Sequence, residues 1–465
     1  MFYKLSKFVF VRNVNNYMQI VDKRNDSELI GDYSSYLFVK HLDYQPLHID
    51  KIVEKIISEF GDGIDILTVK QDAVQLFDRL SEFGLVQKSD VHNGFEDREI
   101  QNTATKVLLP KDELDKYLDL KNQSPLLQNI NVEITQRCNE RCLHCYIPHE
   151  NKNITMRDND FYNIVNQCVE MGTVVNFRLT GGECMSHPSF KNYIKYVKNK
   201  GFALGLLTNL TLLDDEIIDI LRAGTLPNVQ VSLFSMNPEI HDKITAVRGS
   251  FAKTINNIEK LEKAGIQVSI ATQVMEINKD CIEDLCKYTK NHGFNLRCDW
   301  TIIAKEDRNN DNLSCRVRDL STYKNICKLK LQYTDGYKDE LRDELARKPK
   351  SETTHLCNAG TNGLYIDTNL KAHPCPGWDL IVGDLNKESL SHIWKNSAML
   401  QKVRDVVLRD FPKCAKCDIR NLCSICMAQA DLENTADNFK FEMPEYVCDM
   451  YKVIYGTIMD EVLNK

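Results

Sequence analysis

The chain has 465 residues, 43% hydrophobic and 27% charged, with a formal net charge of −7. That length exceeds a single core and fits about three domains, and the composition is ordinary for a soluble globular protein. No bulk positive field draws in nucleic acid, no apolar run nears the roughly 18 residues of a membrane helix, and Met1-Phe2-Tyr3-Lys4-Leu5 lacks the pattern of a secretory signal, so a cytoplasmic protein is expected.

In chain order, residues 1–90 read as a small unit. Apolar extended segments are expected at Phe8–Val11, Met18–Val21 and Tyr36–Val39. Lys51–Phe60 then places Ile52, Val53, Ile56, Ile57 and Phe60 at helical spacing, and Gly61-Asp62-Gly63 breaks it. A second helix carries Val69, Ala73, Leu76, Phe77 and Leu80 on one face and stops at Gly84. Strands followed by helices predict an α+β, winged-helix-like domain. Residues 91–125 read as a polar bridge with a helix near Asp112–Leu120.

From residue 126 to 350 short apolar runs alternate with amphipathic helices. The runs are Ile130–Ile134, Val174–Leu179, Ala203–Leu207, Val229–Leu233, Ile266–Val274 and Leu296–Ile303. Helices are expected between them, as at Ser189–Lys200, Asp214–Ala223 and Phe251–Ala264. Six strands with crossover helices imply an α/β fold with a parallel sheet curled into a partial, TIM-like (βα)6 barrel. Its active site is expected beyond the C-terminal strand ends. Residues 304–350 are charged and helical in pattern, and 351–465 form a cysteine-rich tail.

Seventeen cysteines are unusual here. In a reducing compartment their clustering points to metal rather than to disulfides. None precedes Cys138, and seven lie at or after Cys357. Directly after the first barrel strand, Cys138, Cys142 and Cys145 stand within eight residues. Three thiolates can hold three corners of a [4Fe–4S] cube and leave the fourth iron open. A zinc site is the alternative, although zinc usually closes four ligands.

The loop resembles the CxxxCxxC signature of the radical S-adenosylmethionine superfamily, with His144 at the aromatic position. That resemblance implies S-adenosylmethionine chelated to the open iron and cleaved to a 5′-deoxyadenosyl radical, with flavodoxin or ferredoxin as reductant. More matches come later in the chain, in the family's order. Gly181-Gly182-Glu183 resembles the element that meets the methionyl amino group. Thr208-Asn209 resembles a TNG element in which Leu210 replaces the glycine. Ser232 resembles the ribose-contacting serine, and His241-Asp242 through Arg248-Gly249-Ser250-Phe251 an HD…GSF segment whose basic residue, Arg248, can meet the cofactor carboxylate.

The tail, with Cys414, Cys417, Cys423, Cys426 and Cys448 after Cys357 and Cys375, resembles the SPASM domain of peptide-modifying radical enzymes. The resemblance implies two auxiliary [4Fe–4S] clusters, three clusters in all. Cys414, Cys417, Cys423 and Cys448 would hold the distal one. Cys357, Cys375 and Cys426 would hold the proximal one, whose fourth position is either open or closed by another side chain. Leu370 stands where relatives carry glycine. Zinc ribbons are the alternative for these pairs. Of the other cysteines, most read as buried and inert, and Cys184 stands out because it comes directly after Gly181-Gly182-Glu183.

Residues 1–90 resemble the recognition domain of ribosomal-peptide maturases, in which a leader peptide adds a strand to a sheet edge; a scaffold is the plainer reading. Together these resemblances imply a sactisynthase-like maturase that joins a cysteine of a precursor peptide to an unactivated carbon through a thioether. Carbon–carbon crosslinking is the nearest rival, and a non-catalytic iron–sulfur or zinc protein is the alternative of another class. Anaerobic sulfatase maturases carry aspartate directly after the second tail cysteine, where this chain has Pro376.

Overall fold

Seven short strands lie ahead of the main sheet: β1 (Phe2–Leu5), β2 (Val9–Val14), β3 (Tyr17–Asp22), β4 (Ser27–Asp32), β5 (Leu47–His48), β6 (Val86–Ser89) and β7 (Lys106–Val107). The computed structural model describes all residues except 15, 23–26, 61–64, 96–105, 124, 149–152, 435–438 and 464–465. β2, β3 and β4 form an antiparallel meander, and β7 joins β4 in parallel through Leu29↔Lys106 and Ile30↔Val107. β1 lies between β5 and β6 in a second antiparallel sheet. Helices Ile49–Phe60 and Ile66–Glu82 close one core with these strands, filled by Tyr3, Met18, Ile20, Ile52, Ile56, Phe77 and Leu80. The break expected at Gly61-Asp62-Gly63 lies outside the described residues. Gly84 ends the second helix at φ 68°, a left-handed turn open to glycine.

One expected extended segment is helical. Tyr36–Val39 belongs to the helix Tyr33–Val39, because Asp32 caps it by accepting from the Ser35 N–H at 2.7 Å. The cap, which no apolar count registers, overrides the β-branched and aromatic content.

The main sheet has nine strands in the order β13-β12-β11-β10-β9-β8-β14-β15-β16. Its parallel body is β8 (Asn129–Thr135), β9 (Asn176–Gly181), β10 (Ala203–Thr208), β11 (Asn228–Ser232), β12 (Gln267–Gln273) and β13 (Asn295–Asp299). Their apolar side chains, among them Val132, Phe177, Leu206, Val231 and Ile270, are fully buried against the covering helices. The fold is thus α/β, with a mostly parallel sheet.

Two features of this sheet depart from the pattern of apolar runs. β14 (Gly363–Ile366), from the tail, pairs in parallel with β8, and β15 (Lys371–His373) and β16 (Gly383–Asp384) continue the sheet antiparallel. The sixth strand is shorter than its apolar run. After Asp299 the chain leaves the sheet because side chains take its carbonyls: Tyr323 donates to Trp300 O, Arg316 to Ile302 O and Asn312 to Ile303 O. Helices Thr322–Tyr333 and Tyr337–Ala346 connect to the tail, whose last helix, Glu445–Ile458, packs on the first of them.

Candidate functional site

The cysteine loop leaves β8 at an irregularity of register between Glu133 and Thr135. A bulge there turns the strand end and re-aims the loop. Four backbone hydrogen bonds then fix the loop. Gly182 N–H donates to Thr135 O at 2.9 Å and Glu183 N–H to Arg137 O at 2.8 Å, while Arg141 N–H reaches Thr245 O at 2.9 Å and Leu143 N–H Ile244 O at 3.0 Å. Cys138, Cys142 and Cys145 are each half-buried. The Cys145 N–H closes a turn on Cys142 O.

Bare backbone at Gly181 and Gly182 is required by this docking. A Cβ on Gly182 would stand 2.5 Å from Gln136 O and 2.6 Å from Arg137 O, and one on Gly181 2.1 Å from Thr135 O. Glu183 is wholly buried and accepts from the Met185 N–H (2.9 Å), the Thr208 hydroxyl (2.7 Å) and the Asn209 N–H (2.7 Å). Asn209 donates in turn to Asn139 of the loop at 3.0 Å. Glu183, Thr208 and Asn209 therefore form one knot joining the ends of β9 and β10 to the loop. Asp242 accepts from Gly249, Ser250 and Phe251, so it caps the helix Ser250–Lys263. Ser232 ends β11, and Arg248 is exposed. His144 packs edge-on to Phe234 at 4.8 Å, and burial holds its imidazole down to about 4.

Glu140, absent from the residues singled out by sequence, lies inside the loop. It is 2% exposed, its Oε1 has no partner, and burial followed by the nearby Glu183 charge pushes its carboxyl up to about 7. An acid between two cysteines of the motif was the available signal. Cys184 is wholly buried, its thiol donating to Leu207 O at 3.4 Å.

The seven tail thiols fall into two neighbourhoods. Cys375 feels the charges of Cys426 and Cys357, and Cys426 that of Cys357. Cys423 feels Cys414, Cys448 and Cys417, and Cys448 feels Cys417. Burial raises the thiols of Cys357, Cys375 and Cys426 in one set and of Cys414, Cys423 and Cys448 in the other, to about 11 for Cys414 and about 12 for Cys423, so those thiolates form chiefly by gaining a metal. Among the described residues no three or more His, Cys, Asp or Glu side chains converge at the spacing of one ion. A four-iron cube places each thiolate on a different corner, and an all-sulfur donor set fits it.

A cavity of about 580 Å³ joins the two regions. His144 and Tyr146 of the first loop line it, as do Gln273, Asp299 and Trp300 at the ends of β12 and β13, and Cys426 with Tyr451 of the tail. Tyr146 itself feels both Cys145 and Cys375. A larger cavity of about 770 Å³, lined by Pro125, Gln167, Trp394 and Arg404, includes none of the ten motif cysteines.

This arrangement agrees with known protein families. Residues 132–289 match the Radical SAM superfamily, and residues 357–418 match SPASM, an iron-sulfur cluster-binding domain. The chain carries a radical S-adenosylmethionine domain followed by an iron–sulfur cluster-binding domain. It is 26% identical over 314 residues to the antilisterial bacteriocin subtilosin biosynthesis protein AlbA of Bacillus subtilis, covering 66% of this chain and 68% of that protein. It is 24% identical over 326 residues to an AdoMet-dependent heme synthase of Methanosarcina barkeri, covering 64% and 90%. The crystal structure of Streptococcus suis SuiB bound to precursor peptide SuiA shares the fold, with a TM-score of 0.61 over 96% of this chain and 99% of that one at 13% identity.

Proposed function

We propose that this chain modifies a ribosomally made precursor peptide, joining a cysteine of the peptide to an unactivated carbon through a thioether. The observation that carries this reading is the cavity shared by the first cysteine loop and Cys426, which could present one peptide to both cluster regions. The similarity to AlbA, a bacteriocin biosynthesis protein, supports the peptide as substrate class.

In this reading Cys138, Cys142 and Cys145 hold the first cluster. Cys357, Cys375 and Cys426 hold the proximal auxiliary cluster, and Cys414, Cys417, Cys423 and Cys448 the distal one. When bound, the first cluster and S-adenosylmethionine supply a 5′-deoxyadenosyl radical able to take a hydrogen atom from carbon. The chain's own residues orient the reactants. The Glu183–Thr208–Asn209 knot fixes the loop against two strand ends. The glycine pair, Ser232 and Arg248 are assigned to the cofactor's amino, ribose and carboxylate groups, and His144 to its adenine side. The cavity walls exclude water from the substrate carbon. Net formation of the link replaces one C–H and one S–H by C–S: one hydrogen atom would go to the 5′-deoxyadenosyl radical, the thiol hydrogen would leave as a proton, and the remaining electron would pass to an auxiliary cluster held by the tail cysteines.

Residues 1–90 are assigned to leader recognition, 91–125 to the bridge, 126–350 to radical generation and 351–465 to the auxiliary clusters. The β4 edge is occupied at Leu29 and Ile30 by β7, so a leader strand on that edge would replace β7. Carbon–carbon crosslinking would use the same cavity. A non-catalytic electron carrier would not need the knot at Glu183.

The reading is tested by anaerobic reconstitution. About twelve irons per chain are expected for three cubes. Reduction with S-adenosylmethionine should release 5′-deoxyadenosine in the wild type and none in Cys138→Ala. Full cleavage by that variant would refute the assignment of the loop.

A further inference from the structure

A second, smaller cavity of about 240 Å³ opens at the same strand ends, lined by Gln136, Glu306, Asp307, Tyr365, Asp367, His373, Trp378 and Asp379, with Pro148 and Gly377. Every element around it belongs to the chemical face. Gln136 starts the cysteine loop, Tyr365 lies on β14 and Asp367 just beyond it, and His373 ends β15. Trp378 and Asp379 come shortly after Cys375, and Glu306 donates its N–H to Tyr146 O at 3.0 Å. Tyr146 feels Glu306, Cys145 and Cys375, and it lines the cavity of about 580 Å³ as well.

The wall is acidic, and its charge is only partly answered. Arg308 pairs with Asp379 at 2.8 Å, and its other arm reaches Asp431 at 2.9 Å. His373 Nε2 stands 3.5 Å from Asp367. Among the described residues no lysine or arginine pairs with Glu306, whose carboxyl burial and the surrounding acids push up to about 8, so it ionises when a cation is seated against it. Glu133, 1% exposed, lies behind the wall and is linked to it by the Gln136 amide at 3.4 Å.

Gln136 and His373 are each 8% exposed, and among the described residues Gln136 Oε1 and His373 Nδ1 have no hydrogen-bond partner. The Gln136 amide oxygen accepts only. A buried acceptor beside carboxylates calls for a group that donates only and carries positive charge. A lysine ammonium offers three donors and no acceptor, and a guanidinium five. An apolar or anionic group would leave that acceptor unsatisfied.

We propose that this cavity seats the cationic end of a lysine or arginine of the substrate peptide, with Glu306 as counter-ion and Gln136 as the flanking acceptor. The assignment rests on the peptide-modifying reading and adds to it a substrate requirement, a basic side chain fixed beside the residue that is modified. Trp378 and Tyr365 give the aliphatic stem apolar walls.

The test uses the cluster-loaded full chain saturated with S-adenosylmethionine. Nα-acetyl-lysine methylamide and its norleucine counterpart are titrated calorimetrically. The lysine probe should bind at least about tenfold more tightly, the loss expected when a charged hydrogen bond goes unmade. Glu306→Gln should erase that preference, and the exposed Asp307→Asn should weaken it about threefold while leaving the fold intact. Equal binding of the two probes, or a preference untouched in Glu306→Gln with wild-type iron content, would overturn the proposal. So would magnesium chloride binding that Glu306→Gln abolishes and that excludes the lysine probe, since the cavity would then be a metal site. An enzyme that crosslinks a peptide without lysine preference contradicts only this assignment. Lysine preference without any peptide product contradicts only the broader reading.

Discussion

At the scale of single residues, two leucines carry the backbone that glycine carries in similar sequences. Leu210 has φ 63° and Leu370 φ 64°, both left-handed. Each such leucine costs about 1–2 kcal/mol. Burial offsets the cost, since Leu210 is wholly buried and Leu370 is 9% exposed. The turns survive without glycine, so the departure from the motif changes the side chain and not the path. Gly182 is the opposite case, because its contacts are rigid backbone. Gly182→Ala should destabilise the protein by about 2 kcal/mol, read as a lower melting temperature together with lower iron retention. Glu133 makes a pH prediction. Burial pushes its carboxyl up from 4.5 to about 7, so the folded state holds a proton that the unfolded state has lost. Stability therefore falls as pH rises between those values, and the loss is complete above about 7. Glu133→Gln should match the wild type near pH 4.5 and exceed it at pH 8 by at most about 3 kcal/mol, as thermal melts at both values would show. The motif residues were legible because cysteine, glycine and glutamate stood at fixed spacing. Glu140, Glu133 and Glu306 were not, because a buried carboxylate reads in sequence like any surface acid.

At the scale of elements, the six parallel strands were legible from their apolar runs, and β14 was not. A four-residue strand with a register set by Gly363↔Asn129 carries too little periodicity to announce that it extends a sheet begun more than two hundred residues before it. The sixth run overshot its strand because apolarity cannot distinguish a strand from a cavity wall. Tyr323, Arg316 and Asn312 make that distinction by taking the carbonyls of Trp300, Ile302 and Ile303. Arg316 also pairs with Glu433 of the tail at 2.5 Å, with side chains 11% and 6% exposed. Removing one partner of a buried pair leaves the other charge uncompensated. Glu433→Ala should therefore cost about 3 kcal/mol and loosen the tail from the connector, seen as faster proteolysis near residue 316. On the other side, Arg12 of β2 donates to Gly201 O and lies over the Phe202 ring at 4.8 Å. Arg12→Ala should free the front sheet from the main α/β sheet and its helices and raise hydrogen exchange in β2 while leaving iron content unchanged.

At the scale of the whole molecule, the tail adds to the main sheet and to the site. It adds β14 to the sheet beside β8, and it brings Cys426 into the wall opposite His144. The sequence motifs stand apart in the chain, whereas in the fold one cavity is lined both by His144 and Tyr146 of the first loop and by Cys426 of the tail. Cys426→Ala should lower iron by about four per chain yet leave S-adenosylmethionine cleavage measurable, because the first loop is fixed by its own strand ends. The most direct test of the central claim is the mass of a small cysteine-bearing peptide, encoded beside this gene and co-expressed with the enzyme. The account predicts a peptide lighter by two hydrogens per link with the wild type, and an unaltered peptide with Cys426→Ala. An unaltered peptide from a wild-type enzyme that cleaves S-adenosylmethionine, or the same lighter product from Cys426→Ala, would contradict it.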